Sequence, residues 1–129
     1  MNKKTVLYAP DSYWKATQEE RDMIVNGCGS AQAKFDFVPD TIYGLNINEA
    51  CNIHDWMYHF AKPNIKAKEE ADRVFLNNMI RLIEAKTKWK WLKCLRRKRA
   101  RKYYLAVKYF GGPAFWAGKN KNKNIKEIT

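Results

Sequence analysis

Apolar residues recur at helical spacing through one long stretch, from about Ile65 to Lys88. Ala71, Phe75, Leu76, Met79, Ile80, Leu82 and Ile83 fall at the intervals that line one buried face. Asp72 interrupts that face: it stands three residues before Phe75, four before Leu76 and seven before Met79. A carboxylate on a buried stripe is costly unless it is paired or hydrogen-bonded. Asp72 therefore either meets a partner or sits at a solvated rim. The preceding segment supplies candidates. About Asn48 to Ala61 reads as a helix that Asn48 can cap, with Glu49 in the first turn and Pro63 beyond its end. At helical spacing Cys51, His54 and Tyr58 share one face of it.

The flanks are less regular. Residues 1–16 mix aromatics with Pro10 and read as an irregular arm. Thr17-Gln18-Glu19-Glu20 has the form of a capping box and opens a short helix from about Gln18 to Asn26, with Met23, Ile24 and Val25 apolar and Gly27 at its end. Residues 31–47, with Pro39, Asp40 and Gly44, read as a long ordered loop. A final helix is predicted from about Leu92 to Phe110. Its apolar end, Tyr103, Tyr104, Leu105, Ala106, Val107, Tyr109 and Phe110, is expected on the core. Gly111-Gly112-Pro113 closes it, and Phe115 and Trp116 can still dock.

Charge changes this picture at the back of the chain. Net charge is +12 over 129 residues, enough for one domain with a modest core. Residues 1–84 hold 10 Lys+Arg and 12 Asp+Glu; residues 85–129 hold 15 Lys+Arg and a single acid, Glu127. Such a block favours an anionic partner. No segment approaches the roughly 20 apolar residues of a membrane span. Met1 to Leu7 do not form a signal peptide. Three cysteines, Cys28, Cys51 and Cys94, allow one disulfide in any of three pairings.

Chemistry enters at His54-Asp55. Adjacent helical residues diverge, so the two cannot be a base and its orienting partner. They read instead as a base and a cation ligand, or, more plainly, as a core histidine and a surface charge. Asn26-Gly27-Cys28-Gly29 suits a hard cation that takes carbonyl oxygens, and suits a helix stop equally well.

The ordered set is more specific than its parts. Asn26-Gly27-Cys28, Pro39-Asp40, Gly44, Ala50-Cys51, His54-Asp55, Tyr58, Asp72 with Phe75, and Tyr103-Tyr104-x-Ala106-Val107-Lys108-x-Phe110-Gly111 together resemble the secreted phospholipase A2 superfamily. The small all-helical bacterial and fungal type is the nearest likeness. The His-Asp-x-x-Tyr and Ala-Asp-x-x-Phe pieces are also similar to the phospholipase domains of some viral capsids. The likeness spans about residues 24–112.

The resemblance implies an all-α, phospholipase A2-like fold: two long antiparallel packed helices, a calcium-binding loop and additional terminal helices. The domain would cover residues 1–117, with a basic insert at 86–102 outside the family pattern and a disordered basic tail at 118–129. It implies calcium-dependent hydrolysis of the sn-2 ester of glycerophospholipids. His54 would be the general base on water, Asp72 the acceptor of its other ring N–H, and Tyr58 a hydrogen-bond partner of that aspartate. Ca²⁺ would be held by Asp55 with Asn26, Gly27 and Gly29, and Asn26 stands where the bacterial type has an aspartate. Cys28 and Cys51 would form a disulfide. The implied place of action is extracellular or at membranes, as a monomer.

The basic block adds a surface. Trp89 and Trp91 with Arg96, Arg97, Lys98 and Arg99 suit an anionic phospholipid interface. Two other readings stay open: a phospholipase fold reduced to a membrane binder, and a nucleic-acid binder using the same cations and aromatics. Cys51, His54 and His59 match no standard zinc spacing.

Overall fold

The computed structural model describes residues 6–24 and 39–116. Six helices and one small hairpin run in the order α1 (Asp11–Lys15), α2 (Gln18–Ile24), β1 (Thr41–Ile42), β2 (Leu45–Asn46), α3 (Asn48–Phe60), α4 (Ile65–Lys86), α5 (Lys90–Phe110) and α6 (Gly112–Trp116). At the level of class this is all-α, as expected. The long helices α4 and α5 are antiparallel neighbours: Lys68 near the start of α4 bonds carbonyls at the end of α5, while Glu84 near the end of α4 meets Lys93 and Arg97 near its start. A short connection at Pro63 turns α4 back from α3.

The buried stripe of α4 is Ala71, Val74, Phe75, Met79, Leu82 and Ile83, close to the predicted face, and it carries three polar residues as well: Lys68, Asp72 and Asn78. Asp72 is 1% exposed, so the rim reading is overturned. From α3 the core takes Ala50, Cys51, Ile53, His54, Trp56 and Tyr58.

Local chemistry starts the helices, in one case differently from expectation. The capping box forms as read: Glu20 N–H donates to Thr17 Oγ1 (3.0 Å) and Thr17 N–H to Glu20 Oε1 (2.8 Å). Asn48 does not cap α3. It is the first helical residue, and its N–H donates to Asn46 Oδ1 at 2.7 Å. Asn64 caps α4, accepting from Ala67 N–H (2.8 Å).

The arm before residue 17 is not irregular throughout. Helix α1 packs on α3 through Tyr13, which donates to Glu49 (2.5 Å) and stands edge-on to Trp56, whose indole N–H donates to Ser12 Oγ (3.1 Å). Ahead of α1, Asn78 holds the Tyr8 backbone at both ends, accepting from its N–H (2.7 Å) and donating to its carbonyl (2.9 Å).

Two further expectations are corrected, at residues 41–46 and on α5. Residues 41–46 form a hairpin rather than loop, turning through Tyr43 (φ 44°) and Gly44 (φ 81°). Positive φ at both corner positions is the turn whose twist matches paired strands. Helix α2 buries no residue fully, and Met23 is largely exposed. On α5 the core takes only Ala100, Tyr103 and Val107, while Leu105, Tyr109 and Phe110 face outward and Tyr104 and Ala106 are half-buried. After α5, Gly111 leads into α6, which places fully buried Phe115 edge-on to Tyr58. No helix among the described residues is long and apolar enough to cross a membrane.

Candidate functional site

Helices α3 and α4 face each other at His54 and Asp72. One turn along α3, Tyr58 reaches the same carboxylate. His54 Nε2 lies 2.7 Å from Asp72 Oδ1, and Tyr58 Oη donates to that oxygen at 2.5 Å. The second oxygen, Oδ2, accepts from Lys68 Nζ at 2.8 Å. Lys68 sits one turn before Asp72 on the same stripe, is itself buried, and gives its other protons to the carbonyls of Val107 (3.0 Å) and Lys108 (3.1 Å). Those carbonyls belong to the last turn of α5, the negative end of the helix dipole.

The electrostatics follow from these contacts. Burial alone pushes the Asp72 carboxyl up. The hydrogen bond and charge of His54, with the bonds from Lys68 and Tyr58, outweigh it and hold the group below the usual carboxylate range. Asp72 is therefore an anion and only accepts hydrogen bonds. The proton in the His54–Asp72 bond must then ride on Nε2, which makes Nδ1 the acceptor nitrogen of the neutral ring. Burial first, then the charge and hydrogen bond of Asp72 and the charge of Asp55, push the Tyr58 hydroxyl far above its ordinary value. It stays protonated and donates.

The ring of His54 is clamped as well as bonded. Phe75 stacks on it with centroids 4.7 Å apart, and Tyr58 tilts against it at 4.2 Å. Gly111 closes the far side of Tyr58. A Cβ there would lie 2.9 Å from Tyr58 Oη and press on the Val107 carbonyl. The arrangement can hold one imidazole in one orientation and one tautomer.

The fate of each sequence-predicted residue is as follows. Cys51, His54 and Tyr58 are buried together on α3, and Asp72 meets the latter two. Asp55 is half-buried on a different side of α3, as its position after His54 requires. Asn26, Gly27, Cys28 and Gly29, three expected calcium ligands and one half of the expected disulfide, lie outside the described residues, as does the tail at 118–129. Among the described residues no group of three or more His, Cys, Asp or Glu could hold a metal ion. Asp55 is the one expected ligand among the described residues. His59 is exposed and Cys94 is exposed and free.

The expected interfacial set divides. Trp89 and Trp91 are exposed and stacked on one another with centroids 6.3 Å apart, and Lys98 is exposed. Arg97 pairs with Glu84. Arg96 and Arg99 instead brace the hairpin: Arg96 donates to Thr87 Oγ1 (2.8 Å) and the Tyr43 carbonyl (2.7 Å), and Arg99 donates to Tyr43 Oη (2.9 Å) and lies over its ring. Those two brace the hairpin while remaining partly exposed.

Lys68 was missed by reading the sequence. The signal was available, since a cation four residues before a buried carboxylate on the same stripe is its natural partner. An apolar groove of about 680 Å³ is bordered by Met23, Ile24, Trp56 and Phe60, and His54 is not among its lining residues. No protein-family model, curated protein or solved structure matches the chain.

Proposed function

We propose that this protein is a hydrolase of the phospholipase A2 kind, cleaving the sn-2 ester of glycerophospholipids with a histidine-activated water. The observation that carries the reading is the buried His54–Asp72–Tyr58 network, in which an anionic acceptor fixes the proton on Nε2 and leaves Nδ1 to act as base. In this mechanism His54 Nδ1 removes a proton from water as the water attacks the ester carbonyl. Asp72 and Tyr58 hold the ring and offset the charge of the imidazolium, and His54 then returns the proton to the leaving alkoxide. No covalent intermediate is needed.

The resemblance also calls for Ca²⁺. Asp55 would hold it with backbone oxygens near Gly27 and Gly29 and the amide of Asn26. When bound it would supply Lewis acidity at the ester carbonyl. An amide in place of a carboxylate at residue 26 weakens such a site, so Asn26→Asp is expected to lower the calcium concentration for half-maximal activity.

The test is fatty acid release from mixed phosphatidylglycerol and phosphatidylcholine vesicles, with and without excess calcium, beside His54→Ala. Calcium-dependent release that disappears in the variant supports the reading. One observation favours a second: His54 is only 1% exposed, as a purely structural histidine would be. The same fold would then bind membranes without turnover. No release at saturating calcium, with vesicle binding intact, would select that alternative.

A further inference from the structure

Helix α5 carries nine Lys and Arg and no acid. Like charges three and four residues apart repel, so the helix keeps its shape against its own charge. Two of the arginines, Arg96 and Arg99, face the hairpin and are used there. A second group faces the end of α4. Lys90, Lys93, Arg97, Lys98 and Arg101 border an open cleft of about 520 Å³, whose one carboxylate, Glu84, is already shared by Lys93 and Arg97. No carboxylate among the described residues pairs with Lys90, Lys98, Arg101 or Lys102.

The outermost face of α5 differs from both. Trp91, Leu95, Lys98, Lys102, Leu105 and Tyr109 follow one another at intervals of four, three, four, three and four residues. On a helix of 3.6 residues per turn they form a single stripe. Trp91, Leu95, Leu105 and Tyr109 on it are 62%, 39%, 44% and 67% exposed. An apolar stripe studded with lysines, flanked by uncompensated cations and with a stacked Trp89–Trp91 pair at one end, is an amphipathic cationic surface.

We propose that this outer face of α5 docks on an anionic phospholipid membrane. The charge fits phosphate-bearing headgroups, and the indoles suit the headgroup layer. Leu95 and Leu105 decide against nucleic acid. Exposed aliphatic side chains on either side of Lys98 and Lys102 neither stack on bases nor bond their edges, whereas they gain by leaving water at a lipid boundary. The Trp91 end of the stripe lies beside the end of α4 at Glu84, whereas its Leu105–Tyr109 end lies on the turn of α5 whose carbonyls hold Lys68, the partner of Asp72. The inference rests on the hydrolase reading for its biological purpose, but its binding chemistry does not need turnover.

The experiment is cosedimentation with vesicles of phosphatidylcholine alone or mixed with phosphatidylglycerol, in excess chelator, beside a duplex DNA arm. The chelator keeps any failure of the hydrolase reading from affecting the result. Wild type and His54→Ala should bind the mixed vesicles alike and pure phosphatidylcholine weakly. Lys90→Gln/Lys98→Gln/Arg101→Gln/Lys102→Gln, all at exposed sites, should weaken binding by roughly several hundredfold, since each surface cation contributes roughly fivefold. Leu95→Ser/Leu105→Ser should weaken it while keeping the same salt dependence. Vesicle binding unchanged in either variant, or tight DNA binding with no preference for phosphatidylglycerol, would overturn the proposal. Circular dichroism of each variant checks that the helices are intact.

Discussion

Lys68→Met tests whether the buried ammonium is what keeps Asp72 ionised and in place. Lys68 uses all three protons, on Asp72 Oδ2, the Val107 carbonyl and the Lys108 carbonyl, at 2.8 to 3.1 Å. Methionine fills a similar volume but leaves a carboxylate that is 1% exposed without its countercharge. Removing one partner of a buried pair typically costs about 3–5 kcal/mol. For a domain of this size each kcal/mol moves the thermal midpoint by about 4 °C, so a drop of roughly 12–20 °C is expected. The informative comparison is a double-mutant cycle with Asp72→Asn, followed by urea unfolding near neutral pH. If the penalty is mostly the stranded charge, the double variant should recover about 2 kcal/mol relative to the sum of the single variants. Lys66→Met, at an exposed site on the same helix, should change stability by less than about 0.5 kcal/mol. A cycle additive to within about 0.5 kcal/mol would show that Lys68 acts only by filling space and tying down α5, and would refute the electrostatic account.

Two more outcomes follow from the same cluster. The Asp72 carboxyl is held below its ordinary value in the folded chain, so the unfolded chain takes up the proton first as pH falls. Its stabilisation is complete above the ordinary aspartate value of about 3.9 and is lost as pH falls through its own lower value. Urea midpoints measured from neutral to acid pH should therefore fall less steeply in Asp72→Asn than in wild type. Gly111→Ala should destabilise by about 1–3 kcal/mol, because its Cβ would meet the Val107 carbonyl and lie 2.9 Å from Tyr58 Oη. Gly112→Ala, where a Cβ meets nothing within 4 Å, should be nearly silent in the same melt.

The pairing of His54 and Tyr58 with Asp72 was legible because two periodic signals overlapped. Three polar or aromatic residues on one α3 face met one carboxylate on one α4 stripe, and burial forces such groups together. Lys68 escaped notice because lysine reads as surface by default. Only its place one turn before Asp72 gave it away. The hairpin at 41–46 was missed because each strand is two residues long, too short for alternation to register. The outer stripe of α5 was hidden by its own charge. Leu105 and Tyr109 look like core residues in a string, and only the packing of Ala100, Tyr103 and Val107 on α4 reveals which side they face. Asn48 failed as a cap because Asn46, two residues earlier, supplies the oxygen instead.

The grip of Asn78 on Tyr8 has a kinetic meaning. The long helices meet through short connections, so their contacts close small loops and form early. The Tyr8–Asn78 pair closes a separation of 70 residues, whose entropy cost is met only once α4 already stands. This contact is therefore expected to form late, on a helical body that already stands. Losing the two Tyr8–Asn78 hydrogen bonds is accordingly expected to speed opening of the native state more than it slows folding.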